Sequence, residues 1–165
     1  MPYCARAAPT ALSRRVHGSI LVADDDPIYA NLLRGAIARA MPATPILHFD
    51  NGEEVIRLLT DDTQTGRGGA IPTPRILLLD LHMPKKGGLE VLEWMRTQPR
   101  LRSLPVIVIS TSEDTATVKK AYELGARGFL AKPYGAASLR QLAAVLKSWL
   151  SSNSIPEMPA KLNFL

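Results

Sequence analysis

Three consecutive carboxylates, Asp24, Asp25 and Asp26, follow the apolar run Ile20-Leu21-Val22-Ala23, and a second apolar run, Ile76 to Leu79, ends in the same way at Asp80. Carboxylates gathered at the ends of buried strands repel one another and resist desolvation, so a fold that collects them usually holds a divalent cation between them. All-oxygen ligation of this kind points to Mg2+. Two further apolar runs end in polar reactive groups: Ser110-Thr111-Ser112 after one, Lys132-Pro133 after the other.

The elements that must position these groups are legible from hydrophobic period. Five short apolar runs read as strands, near Ser19 to Ala23, Pro45 to Phe49, Arg75 to Asp80, Pro105 to Ser110 and Arg127 to Ala131. Continuous apolar strands of this length are buried on both faces, as in a parallel sheet. Segments of helical period separate them. Pro27 suits the start of the first helix, which carries Tyr29, Leu32, Leu33, Ala36, Ile37 and Ala40. Asn51 and Glu54 have capping-box spacing for a second helix ending near Thr60. Leu89, Val91, Leu92, Trp94 and Met95 mark a third, and Thr115 to Leu124, stopped by Gly125, a fourth. Ser138 and Gln141 form another capping-box pair, read as opening the last helix, with Leu139, Leu142, Val145, Leu146 and Trp149 on its apolar face. Such alternation predicts an α/β fold, a doubly wound five-stranded parallel sheet with helices on both faces. The ligand rim of such a sheet lies outside the carboxyl ends of its strands, where the polar groups collect.

In order and in position, the acidic pair after the first strand, Asp80 followed by Leu81-His82-Met83-Pro84 and Gly88, Ser110 ending the fourth strand and Lys132-Pro133 after the fifth resemble the receiver domain of bacterial two-component response regulators. The likeness covers about residues 18 to 150. It implies the flavodoxin-like (βα)5 fold, with Asp80 as the phosphoacceptor: a carboxylate, ionised at neutral pH, attacks phosphorus and forms an acyl phosphate that water can later cleave. It also implies Mg2+ held by Asp25, Asp80 and the backbone carbonyl of His82, with Asp24 acting mainly through a coordinated water. Lys132 and the cation would meet the charge on the phosphoryl oxygens, and Ser110 would hydrogen-bond the remaining oxygen. In this family the Lys-Pro bond is often cis. The switch would run through Ser110 moving toward the phosphate and Phe129 turning inward into the vacated space.

The chain departs from the family in two places. Gly87 stands where many receivers have aspartate, and His82 occupies the position from which a side chain influences attack by water. Asp26 reads as solvated or near a helix N-terminus. His17 and His48 have no partners at ligand spacing and read as ordinary surface or strand residues.

Met83-Pro84-Lys85-Lys86-Gly87-Gly88, the Asp-rich first turn and Pro99 to Pro105 are similar to the regulators partnered with phytochrome-type histidine kinases, commonly homodimers. The resemblance therefore implies a single-domain response regulator that takes its phosphoryl group from a sensor histidine kinase and signals through a changed surface or by relay. Two alternatives are a small aspartate-nucleophile phosphohydrolase and a degenerate receiver acting as a binding module. A phosphohydrolase of that type places a second acid two residues after the nucleophile, where this chain has His82. The full set Asp24, Asp25, Asp80, Ser110 and Lys132 argues against degeneracy.

The 165 residues suffice for one domain, and 46% hydrophobic with 21% charged residues is a globular balance. Residues 1–18 read as a flexible tail, 19–150 as the receiver domain and 151–165 as a C-terminal arm. The net charge of +5 is concentrated in the tail, through Arg6, Arg14 and Arg15, so no basic groove for nucleic acid is indicated. Only 15 residues follow the domain, too few for a DNA-binding output module. Cys4 is the only cysteine and no apolar run approaches membrane-spanning or signal-peptide length, which predicts a cytoplasmic protein. Asp61 to Pro74 reads as a mobile insertion, since its Gly66-Arg67-Gly68-Gly69 stretch lacks the Lys-Ser/Thr ending of a phosphate loop. Ile155, Met158, Leu162, Phe164 and Leu165 make the arm apolar, suited either to strap its own domain or to lie on a second copy in a homodimer.

Overall fold

The computed structural model describes residues 18–61, 71–112 and 114–152. Strands β1 (Ser19–Ala23), β2 (Ile46–Phe49), β3 (Pro74–Leu79), β4 (Val106–Ser110) and β5 (Gly128–Ala131) alternate with helices α1 (Pro27–Ala40), α2 (Gly52–Thr60), α3 (Gly88–Arg96), α4 (Thr115–Glu123) and α5 (Ala136–Ser152). The strands form one parallel sheet in the order β2-β1-β3-β4-β5. The expected α/β, doubly wound, flavodoxin-like architecture is present.

Alternation along the strands divides the core in two. Ile20, Val22, Ile76, Leu78, Ile107, Ile109 and Leu130 pack with Tyr29, Leu33 and Ile37 of α1 and Leu142, Leu146 and Trp149 of α5. Leu21, Ala23, Leu77, Leu79, Val106, Val108 and Phe129 face α2, α3 and α4 on the other side. Burying each such side chain contributes about 1.5–3 kcal/mol, which fixes the strand register and with it the level of every group on the rim.

Local chemistry sets the helix ends. Asp26 caps α1, its Oδ1 accepting from the N–H groups of Ile28 and Tyr29 at 2.9 and 3.2 Å. Asn51 caps α2 by accepting from Glu54 N at 3.1 Å, and its amide donates to Glu54 Oε1 at 3.0 Å, so the predicted pairing is made. Gly125, at φ +103°, ends the α4 segment in the left-handed conformation.

Several boundaries differ from the sequence reading. Pro45 and Pro105 fall just outside β2 and β4: proline has no N–H to give a ladder, and their carbonyls serve as acceptors for Ile20 and Leu77. Ser138 does not open α5. The helix starts at Ala136, with the Leu139 N–H bonded to the carbonyl of Gly135 at 2.9 Å, because two alanines after Gly135 propagate a helix without a side-chain cap. It also continues through Ser152, two residues past the expected domain end. The N-terminal tail, most of the 61–74 loop and the arm beyond Ser152 lie outside the described residues.

Candidate functional site

The strand order turns on β1 and β3, which are neighbours although two helices and an edge strand separate them in sequence. Ala23 is level with Leu79, and the Asp80 N–H donates to the Ala23 carbonyl at 2.9 Å, so Asp24 and Asp80 emerge side by side. Both are buried, 2% and 4% exposed, whereas Asp25 is exposed. One carboxylate oxygen from each of Asp24, Asp25 and Asp80 lies within 4.8 Å of the others.

Lys132 reaches the same point from β5. Its backbone N–H extends the sheet to the Ser110 carbonyl at 3.0 Å, and its Nζ stands 2.7 Å from Asp24 Oδ2 and 2.8 Å from Asp80 Oδ2. The Lys132–Pro133 bond is trans, unlike the cis form frequent in the family, and the ammonium reaches both carboxylates all the same. Burial pushes the Asp24 pKa above the usual carboxylate value, although the Lys132 hydrogen bond and the Asp26 N–H oppose this. For Lys132 burial acts downward, but its hydrogen bonds to Asp24 and Asp80 outweigh it and leave the pKa raised. The ammonium thus stays charged between two crowded anions.

The loop after β3 presses close to Asp80. His82 N–H donates to Asp80 Oδ1 at 3.3 Å, while the His82 side chain is exposed. Gly88 N–H donates to the Leu81 carbonyl at 2.9 Å, and a Cβ on Gly88 would collide with the Asp80 carbonyl oxygen, so this position admits only glycine without a shift of the loop. Lys85, at φ +64°, turns the chain so that the Lys86 carbonyl accepts from Gly52 N at 3.0 Å, tying the loop to the start of α2. At Gly87, the N-cap of α3, the backbone N–H donates to Glu90 Oε2 at 2.8 Å.

Ser110 is fully buried at the end of β4, and its Oγ accepts from Ser112 N at 3.2 Å. Phe129 lies opposite Val108 on the neighbouring strand and is 4% exposed, its ring already directed into the α2–α3–α4 side of the core. Asp26 caps α1 as anticipated, and its own N–H donates to Asp24 Oδ1 at 3.0 Å.

Sequence reading missed two residues at the site. His48 Nε2 lies 2.8 Å from the Asp24 backbone oxygen, and the Tyr29 ring centroid lies 4.7 Å from Lys132 Nζ. Their signals were positional only: His48 is level with Val22 on β2, and Tyr29 faces inward on the first turn of α1. Three convergent carboxylates form a hard oxygen donor set that fits Mg2+, and burial of Asp24 beside Asp80 favours a cation that shares their charge.

The family model for the response regulator receiver domain matches residues 20–144. The probable methanogenesis regulatory protein FilR2 of Methanothrix harundinacea is 31% identical over 138 residues, 83% of this chain and 86% of the relative. Response regulator Rcp1 of Synechocystis is 35% identical over 94 residues, 56% of this chain and 64% of Rcp1. The Mn2+-bound crystal structure of Rcp1 superposes with a TM-score of 0.70 at 28% identity, covering 84% of this chain and 99% of that one. The phosphorylated cyanobacterial phytochrome response regulator RcpA superposes with a TM-score of 0.72 at 27% identity, covering 84% and 97%.

Proposed function

We propose, from the premise that the chain belongs to the response regulator receiver family, that it is a stand-alone regulator phosphorylated on Asp80 by a sensor histidine kinase of phytochrome type. The observation that carries this reading is the placement of Lys132 Nζ between Asp24 and Asp80, which combines a nucleophilic carboxylate with a fixed positive charge at one point.

In the proposed reaction a carboxylate oxygen of Asp80 forms a bond to the phosphorus of a phosphohistidine as the P–N bond breaks, and the imidazole keeps the bonding electron pair. Lys132 shifts with the charge, from the carboxylate oxygen to the phosphoryl oxygens, where it is worth more because the site is enclosed. Ser110 Oγ, now bonded by the Ser112 N–H, donates its own proton to a phosphoryl oxygen. Mg2+, held by Asp24, Asp25, Asp80 and the His82 carbonyl, would supply further positive charge to those oxygens. Ser110 and Phe129, on adjacent strands, would carry the change to the α4–β5–α5 surface.

The protein is read as a regulatory domain that assists its own phosphorylation and dephosphorylation, not as a turnover enzyme. An exposed His82, where a phosphohydrolase of the alternative type has its second acid, supports this. We propose a cytoplasmic location; among the described residues no helix is long and apolar enough to cross a membrane. Homodimerisation completes the reading; DNA is not a proposed partner.

The test is incubation of the full chain with acetyl phosphate and Mg2+, followed by intact mass. We expect one added phosphoryl group, not formed when Mg2+ is chelated beforehand and absent in Asp80→Asn. Continuous release of phosphate from esters would favour the phosphohydrolase instead.

A further inference from the structure

Tyr29 lies at the meeting point of the site and the core. It is 2% exposed on the first turn of α1, with its ring centroid 4.7 Å from Lys132 Nζ. Tyr134, in the segment between β5 and α5, packs its ring edgewise on Tyr29, centroids 5.6 Å apart and planes at 61°, and is itself 62% exposed. The Tyr29 phenol oxygen is buried and has no hydrogen-bond partner, so the ring face rather than the hydroxyl touches the site.

The position of Lys132 poses a physical problem that this ring can solve. Its ammonium is held by the same two carboxylates that would ligate a cation, and one of those, Asp80, would become an acyl phosphate. Each change withdraws an anionic partner from Lys132 just when its charge is needed at the phosphoryl oxygens. A third carboxylate could hold the ammonium, but it would compete for the cation and repel the phosphoryl group. An aromatic face attracts an ammonium through its quadrupole and carries no net charge, and the attraction is stronger when water is kept out.

We propose that Tyr29 is a positioning residue for phosphoryl transfer: its ring face holds the Lys132 ammonium over the site as Asp24 and Asp80 change partners, and Tyr134 seals that ring from solvent. The inference rests on Asp80 being the phosphoacceptor. It separates ring from hydroxyl at Tyr29, and it gives an exposed tyrosine outside the polar cluster an indirect hold on the rate.

The experiment follows phosphorylation of the full chain by acetyl phosphate at saturating Mg2+, with the rate constant at saturating donor read from intact mass. Tyr29→Phe keeps the ring and should retain the wild-type rate, while Tyr29→Leu should lose roughly 2- to 30-fold, the range of a cation–π contact converted to a rate. Both variants are repeated with Lys132→Gln, where the difference between Phe and Leu should vanish. Equal rates for Phe and Leu beside an intact Lys132, or a difference that survives Lys132→Gln, would overturn the proposal and return Tyr29 to a packing role.

Tyr134→Ala, an exposed change that leaves the core intact, should lower the rate by a few fold only when Lys132 is present. A second readout needs no phosphorylation: in the Mg2+-loaded protein the Lys132 ε-methylene protons should show an upfield ring-current shift in wild type and Tyr29→Phe. Its absence in Mg2+-loaded wild type would also overturn the proposal. A wild type that shows the ring-current shift but takes no phosphoryl group would instead sink the reading of Asp80.

Discussion

His48 Nε2 lies 2.8 Å from the backbone carbonyl oxygen of Asp24, an imidazole N–H donating across 24 residues from the edge strand β2 to the end of its neighbour β1. Asp50 Oδ1 stands 3.6 Å from the same nitrogen and favours the donating form. The bond fixes the backbone that carries the first carboxylate of the site, and it completes the side of β1 where the β2 ladder stops.

Replacing His48 by alanine should therefore cost about 1–2 kcal/mol, the penalty for leaving a part-buried carbonyl without its donor, and should weaken Mg2+ binding by a few fold. Urea unfolding checks the first and calorimetric titration the second. Unchanged values in both would make the bond incidental.

The next prediction concerns charge balance between Lys132 and its two carboxylates. Lys132→Ala leaves Asp24 and Asp80 facing each other in a buried site, and the metal-free protein should lose about 2–4 kcal/mol. Mg2+ should restore more stability to this variant than it adds to wild type, since the cation then provides the positive charge that the ammonium provided. Thermal melts over a Mg2+ titration measure both slopes; parallel slopes would show that the two cations do not share the site's charge.

A third prediction is a pH dependence. Asp114 caps α4, and hydrogen bonds from the Thr117 N–H and hydroxyl hold its carboxyl below the ordinary value of 3.8. A depressed folded-state pKa contributes stability that is fully present above the unfolded value and is lost as pH falls through the folded one. Asp114→Ala should be less stable than wild type at pH 7, and the gap should close as pH drops below 3.8. Denaturant midpoints across pH 2 to 7 check this, and a gap independent of pH would assign the effect to helix propensity alone.

Much of the candidate site is legible in the residues themselves. Strand ends announce Asp24, Asp80, Ser110 and Lys132 because a buried apolar run must stop where a charge or hydroxyl begins, and Asn51 with Glu54 announces a helix start through hydrogen bonds that span three residues. The opening of α5 was misread at Ser138 for the complementary reason. A capping-box spacing is permissive, and Ala136 and Ala137 carry the helix up to Gly135 without using it.

What the sequence by itself determined is the inventory: five apolar strands, of which the edge strand β2 is only half-buried, the helices between them, and a polar group at the end of each strand that matters. Those follow from local period and local hydrogen bonding, which act over a few residues. Tertiary structure alone decided which groups meet. The order β2-β1-β3-β4-β5 brings Asp80 beside Asp24, sets Lys132 2.7 and 2.8 Å from both, and places His48 and Tyr29 against them. Electrostatic and cation–π interactions fall off within a few ångströms, so their partners are chosen by strand order and register, which depend on the packing of both faces of the sheet at once.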